Sequence, residues 1–401
     1  MYLSLVLVCL PLSILYQRYL YFRRMNIPLE TSEYFKYAFT SVYVDIMFFV
    51  SWILEKLGIC DQVRLIRTSL KIGVFQTDRE LHIRDEQFDN VPVRIYEPKH
   101  PSSGPRRCLV YIHGGAGMLG TINAYAATCR HLALKTGTMV VDIGYRLAPE
   151  HPHPAQFEDC MSAVTHFLKE AENYGVDPNR VILAGDSSGG TLVSLVCHRL
   201  VTRKDTPRVR AQLLIYPPYQ SVDLTLPSYQ QNFFGPVLLG KRVFELAARF
   251  FNEEAADVSG FMKNAHVPDY FSVKYRKWIS ADLVPDEFKV RGYVPIAPAP
   301  FSEKLYKAAG IALQEDFCPL LSTDDIIRQL PETFLLTCEY DVLRDDGLLY
   351  KKRLEDNGVP VTWHHLKTGF HGIMYQNDCV PFQFKEAQEA MEHIVDFVQR
   401  C

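Results

Sequence analysis

Two observations predict an α/β architecture, a mostly parallel sheet with helices on both faces. Short, nearly continuous apolar runs recur along the chain, CLVYI at 108–112, MVVDI at 139–143, VILA at 181–184, QLLIY at 212–216 and TFLLTC at 333–338. Helix-length segments separate several of them, and strands that are apolar on both faces belong to buried parallel sheets rather than to half-exposed antiparallel ones. Between Pro217 and about Pro300 the strand rhythm fails, and Phe233, Phe234, Phe244, Phe250, Phe251, Tyr270, Phe271 and Trp278 stand among prolines and mixed charge. That stretch reads as a helical insert forming a lid over a pocket.

In chain order, MYLSLVLVCLPLSILY at 1–16 carries no charge and is followed by Arg18, Arg23 and Arg24. No basic residue precedes the apolar stretch and no small-x-small site follows it, as a cleaved signal peptide would require. The expectation is an uncleaved single-pass membrane anchor over 1–22. By the positive-inside rule its three arginines would leave the rest of the chain in the cytosol. A second apolar stretch at 37–54 has Asp45 at its centre, which would cost about 2.5–3.5 kcal/mol within a membrane span. It therefore reads as a soluble amphipathic helix that buries Phe39, Val42, Tyr43, Ile46, Phe49, Val50 and Ile53, which recur at three-and-four spacing. Residues 23–90 are accordingly assigned to an N-terminal cap segment. The sheet-bearing α/β domain is expected over 91–401, with a cap insert at about 219–300, and the turn-rich KHPSSGPRR at 99–107 marks a break before the sheet.

Composition narrows the function. With 43 Lys and Arg against 46 Asp and Glu, a net charge of −3 and no long run of either sign, the chain lacks the basic footprint of a nucleic-acid binder. Its 10 cysteines are scattered without a C-x-x-C pair, so neither a metal knuckle nor a thioredoxin-type redox site is expected. Most read as buried small hydrophobes.

The chemistry-bearing residues follow strand ends. GDSSG at 185–189 fits G-x-S-x-G between a strand and a helical segment, the context in which a strained turn projects a serine hydroxyl. Ser187 is the candidate nucleophile. HGG at 113–115 ends another strand, and such a turn supplies backbone N–H donors for the oxyanion of a tetrahedral intermediate. Donors are expected at Gly114, Gly115 and Ser188. A serine needs a base, and the base needs an orienting acid. In the order expected for this elbow, Asp341 follows the strand at 333–338 and His371 follows a β-like run at 361–366. His364 and His365 are adjacent within a strand, His393 lies on the terminal helix, and Asp345 and Asp346 are placed to cap the next helix.

At these residues a resemblance becomes specific. HGG at 113–115, GYRLAPEHPHPAQFED at 144–159, YGVDP at 174–178, GDSSGG at 185–190, YDVLRDDG at 340–347 and GFHG at 369–372 resemble the arylacetamide deacetylase-like group of the hormone-sensitive-lipase class of α/β-hydrolases. The resemblance implies an α/β-hydrolase fold with a helical cap, and a serine carboxylic-ester hydrolase acting on a small apolar ester or lipid, in some members an amide. It implies no cofactor or metal. It also implies an N-terminal signal anchor with a catalytic domain in the endoplasmic-reticulum lumen, in conflict with the positive-inside reading. By carry-over Ser187 is nucleophile, Asp341 orienting acid and His371 general base and acid, and His113, Gly114 and Gly115 form the oxyanion motif. The group's third glycine is Ala116 here. The cysteine its name-giving member carries soon after is Met118, which leaves Cys338 without that partner. The competing reading is a catalytically silent hydrolase-fold protein that binds a ligand or acts as a scaffold.

Overall fold

The computed structural model describes residues 12–22, 27, 31–70, 78–102, 104–251, 257–376 and 383–401. Residues 1–11 of the expected anchor, and Arg23 and Arg24 behind it, lie outside the described residues; residues 12–22 are helical. Eight strands form one sheet, β1 (Leu81–Phe88), β2 (Val91–Pro98), β3 (Arg106–Ile112), β4 (Met139–Ile143), β5 (Val176–Asp186), β6 (Ala211–Ile215), β7 (Glu332–Tyr340) and β8 (Val361–Phe370), in the order β1-β2-β4-β3-β5-β6-β7-β8. From β4 to β8 every pairing is parallel. β1 and β2 form an antiparallel hairpin on its edge.

That hairpin lies partly in the region read as cap. β1 falls within 23–90 and β2 beyond it, joined by Asp89 and Asn90 at φ +47° and +68°. An Asp-Asn pair with positive φ at both residues is a two-residue hairpin turn, and these are residue types that tolerate that conformation. The helical insert is also longer than 219–300, because no further strand forms until Glu332.

Besides the helix at 12–22, eight longer helices among the described residues flank the sheet and build the cap, α1 (Thr31–Lys56), α2 (Gln62–Leu70), α3 (Ile122–Thr136), α4 (Ala155–Glu170), α5 (Ser188–Leu200), α6 (Gly240–Phe250), α7 (Arg344–Asp356) and α8 (Lys385–Arg400). Successive strand residues feed opposite cores, as the period of two requires. Val110 and Ile112 of β3 pack with Phe167, Val193 and Leu349 of α4, α5 and α7. Leu109 and Tyr111 pack with Cys129, Leu132, Ile394 and Phe397 of α3 and α8. α3 begins where the Thr121 hydroxyl accepts the Ala124 N–H, and ends at left-handed Gly137. Of the eight described cysteines, all free thiols, seven are buried, and Cys60 is half-buried.

α1 corrects the expectation for 37–54. A helix forms, but Phe39, Tyr43, Ile46, Phe49 and Val50 are exposed, and the buried side is Tyr34, Tyr37, Ala38, Thr40, Ser41, Val42 and Ser51. The apolar spacing is correctly helical; what spacing cannot supply is which arc faces the protein. Two carboxylates decide it. Asp45 pairs with Arg242 at 2.9 Å and with Arg18 at 2.5 Å, and Glu55 pairs with Arg249 at 2.6 Å. Since Arg242 and Arg249 lie at the two ends of α6, these pairs turn the charged side of α1 inward and clamp the two helices together.

Candidate active site

Parallel strands deliver their carboxyl ends to one edge, and the candidate residues collect there. Ser187 follows β5 with φ +50° and ψ −130°, a strained conformation for a residue with a side chain. Its N–H is tied to the Ile215 carbonyl at 2.8 Å. The turn demands glycine behind it: a Cβ on Gly189 would stand 2.1 Å from the Ile112 carbonyl oxygen.

Asp341 follows β7 and His371 follows β8. His371 Nδ1 lies 2.8 Å from Asp341 Oδ2, and Nε2 lies 2.9 Å from Ser187 Oγ. An ionised carboxylate only accepts, so Nδ1 carries the proton and Nε2 presents its lone pair to the serine hydroxyl. Asp341 is 1% exposed and His371 8%. The Asp341 loop is held by the Leu343 N–H on Oδ1 at 2.8 Å and by the Asn232 side-chain amide on the Asp341 carbonyl at 2.8 Å.

The competing residues sit elsewhere. His364 stacks on His393, with ring centres 4.0 Å apart, and His365 contacts Thr337 and Glu339. Asp345 bonds Arg344 and the Ser228 N–H, and Asp346 accepts the N–H groups of Tyr219 and Gln220. Both belong to α7's first turn but serve neighbouring segments.

His113 follows β3. It is buried, with Tyr145 stacked 4.3 Å from it and Tyr125 at 5.4 Å, and burial lowers its pKa to about 4, so the ring is neutral. Beyond it Gly115, Ala116 and Gly117 all have positive φ, +102°, +55° and +67°. Ala116 thus keeps the left-handed geometry although it is not glycine. Gly114 differs from expectation. Its N–H is already engaged by Asp186 Oδ1 at 3.0 Å. Among the described residues the N–H groups of Gly115, Ala116 and Ser188 have no acceptor. Sequence reasoning also passed over Asp186, the variable position inside G-x-S-x-G. Its carboxylate further accepts the hydroxyls of Tyr111 at 3.0 Å and Tyr125 at 2.8 Å. Burial pushes its pKa up and these donors hold it down.

A family model described as the alpha/beta hydrolase fold matches residues 109–266 and 298–375. The chain is 43% identical to human arylacetamide deacetylase-like 4 over 347 residues, 86% of this chain and 85% of that one. It is 37% identical to mouse arylacetamide deacetylase over 361 residues, 88% and 90% of the two chains. The chain belongs to the arylacetamide deacetylase-like group of α/β-hydrolases. Among solved structures, that of DphMB1 matches with a TM-score of 0.61 and 28% identity, covering 83% of this chain and 90% of its own. A bacterial heroin esterase matches in fold with a TM-score of 0.59, 23% identity and coverage of 84% and 88%.

In this hydrolase Ser187 and His371 open onto a pocket of about 930 Å³. The N-terminal segment and the insert together roof it: Phe39, Tyr43 and Met47 come from α1, and Val243, Leu246 and Phe250 from α6. Rings and aliphatic chains dominate these walls, the lining that suits an uncharged ligand. Among the described residues no group of three or more His, Cys, Asp and Glu side chains is placed to hold a metal ion.

Proposed function

We propose that the chain is a serine carboxylic-ester hydrolase acting on apolar esters through an acyl-enzyme. The observation that carries this is the run Ser187 Oγ, His371 Nε2, His371 Nδ1, Asp341 Oδ2 at 2.9 and 2.8 Å on the floor of a largely apolar pocket. Ser187 Oγ attacks the ester carbonyl carbon as His371 Nε2 takes its proton, and buried Asp341 stabilises the imidazolium. The carbonyl oxygen becomes an oxyanion held by the N–H groups of Gly115, Ala116 and Ser188, with Gly114 excluded because Asp186 holds it. Collapse breaks the bond to the alcohol oxygen, which leaves with the proton from His371. Water, deprotonated by His371, attacks the acyl-serine; the carboxylic acid departs and Ser187 regains its proton.

The pocket's lining favours medium-chain or neutral-lipid esters over charged ones, and its volume leaves room for an acyl chain and an alcohol group together. The apolar N-terminus is proposed as a signal anchor that ends before Arg18, Tyr19 and Phe22, which pack on the protein, with the catalytic domain in the endoplasmic-reticulum lumen as the resemblance implies; protection of the domain from added protease in sealed microsomes tests this. The catalytic reading is tested by purifying the wild type and Ser187→Ala and measuring hydrolysis of aryl esters of increasing acyl length. Loss of all activity in the variant, with activity in the wild type retained as the acyl chain grows, is expected. Equal rates would overturn the mechanism, and a steep fall with acyl length the substrate class.

A further inference from the structure

The outer side of α1 has no charge on it. Phe35, Phe39, Tyr43, Ile46, Phe49 and Val50 are each 44–59% exposed, and at 100° per residue they fall within an arc of about 120° in which Val42 alone is buried. A helix facing water would normally carry its carboxylates there. Here Asp45 and Glu55 are turned inward onto Arg242 and Arg249 instead. The helix Glu33–Lys56 is long and apolar enough to cross a membrane by length and composition. Its position excludes a crossing, because Tyr37, Ala38, Ser41 and Val42 are buried against the protein and both carboxylates are paired to it. A helix with one side fixed to the protein and an uncharged aromatic side outward fits a helix lying in the plane of a lipid surface.

We propose that this face of α1 is seated in the interfacial layer of a lipid bilayer and that the ester enters the pocket directly from it. The proposal rests on the esterase reading above. Two features choose lipid over a second copy of the chain. First, the helix over residues 12–22 leans on α1, with Tyr19 stacked on Phe35 at 4.6 Å and Arg18 on Asp45. In sequence, the uncharged residues 1–11 precede that helix directly, so an apolar stretch adjoins the part of the chain that packs on α1. Second, Phe39 and Tyr43 are both exposed and part of the pocket lining, so the mouth opens on the apolar face rather than beside it. Lys56, the last residue of α1, is exposed, a cation at the end of the helix where an anionic headgroup would meet it.

The full-length chain is placed in phosphatidylcholine vesicles whose acyl chains are brominated, and compared with Phe49→Glu/Val50→Glu, neither of which lines the pocket. The readouts are hydrolysis of a water-soluble aryl acetate, hydrolysis of an aryl decanoate dissolved in the vesicles, and quenching of tryptophan fluorescence. Wild type should hydrolyse both esters and be quenched through exposed Trp52, the quenching vanishing in Trp52→Phe. The double variant should keep acetate hydrolysis within two-fold, lose at least ten-fold on the vesicle-borne decanoate, and lose the quenching. Unquenched Trp52 in wild type, or equal decanoate rates in wild type and variant, would overturn the proposal. So would conversion from dimer to monomer on Phe49→Glu/Val50→Glu without quenching in the wild type, which would assign the face to a second copy. Failure of wild type on the acetate would instead remove the esterase reading itself.

Discussion

Asp186 and Gly114 are joined by a hydrogen bond, the Gly114 N–H donating to Asp186 Oδ1 at 3.0 Å. The residue beside the candidate nucleophile therefore fixes the loop that faces it. Because the same carboxylate accepts the Tyr111 and Tyr125 hydroxyls, truncating it strands three buried donors, each worth about 1–3 kcal/mol. Asp186→Ala should lose several kcal/mol of stability and at least ten-fold in kcat. Asp186→Asn, which keeps one oxygen toward Gly114, should lose much less of both. Denaturant unfolding and aryl-ester kinetics check this; equal damage from both substitutions would detach the loop from the carboxylate.

What the sequence disclosed follows from where local chemistry suffices. The apolar runs mark β3 to β7 because a buried parallel strand has no polar side to confuse the reading, and Ser187, Asp341 and His371 are legible because each follows a strand end. β1 and β2 give no such signal: edge strand β1, LHIRDEQF, carries charge outward, and β2, VPVRIYEP, though paired on both sides, is interrupted by proline and charge. A motif shows which glycines follow the strand end and not which N–H is already engaged, as that of Gly114 is by Asp186. The facing of α1 depends on Arg242 and Arg249, nearly two hundred residues away, which no local window contains.

Ala116 holds φ +55°, where a side chain costs about 1–2 kcal/mol. Ala116→Gly removes that strain and returns part of the gain as extra freedom in the unfolded chain. The denaturant midpoint should rise, by a net stabilisation of no more than about 1 kcal/mol, with the donor N–H retained and kcat within a few-fold. A lower midpoint would show that the methyl group contributes packing that outweighs the strain.

Asp341 orients His371 rather than meeting the ester. Asp341→Asn keeps the shape but offers the wrong group to Nδ1, so the imidazole takes the tautomer that cannot accept the serine proton. A fall in kcat on the order of 10⁴ is expected, with KM little altered. A loss of under ten-fold would mean that His371 is oriented by something else.

His266 lines the pocket and is 1% exposed, and its Nε2–H donates to the Ser221 carbonyl at 2.8 Å. Burial lowers its pKa to about 4, against about 6.5 unfolded. The unfolded chain therefore binds a proton between pH 6.5 and 4 that the folded chain refuses, so this contribution is complete above about 6.5 and fades as the pH falls toward 4. Other buried groups titrate in the same window, and comparison with His266→Gln, which can keep the bond to Ser221, cancels them. The stability of wild type relative to the variant should fall by about 3 kcal/mol from pH 7 to pH 4, measured by denaturant unfolding at each pH. A constant difference would place a charged imidazole in the folded protein.

The clamp between α1 and α6 should govern large substrates more than small ones. Arg242 has a side chain 8% exposed, stacked over Phe48 at 4.1 Å and bonded to Asp45, which is 27% exposed and also meets Arg18. Removing one partner of a fully buried pair costs about 3–5 kcal/mol, and the exposure of Asp45 places Asp45→Asn below that range, at about 1–3 kcal/mol. Both helices furnish pocket wall, Phe39, Tyr43 and Met47 from one and Val243 and Leu246 from the other, while Ser187, Asp341 and His371 follow strand ends. Loosening the clamp should therefore leave an acetyl ester's kcat within two-fold and raise KM several-fold for a decanoyl ester, whose chain needs both walls. Acyl-length series on wild type and Asp45→Asn measure the split. A proportional loss on both esters would mean that the clamp supports the strand-end residues rather than the roof.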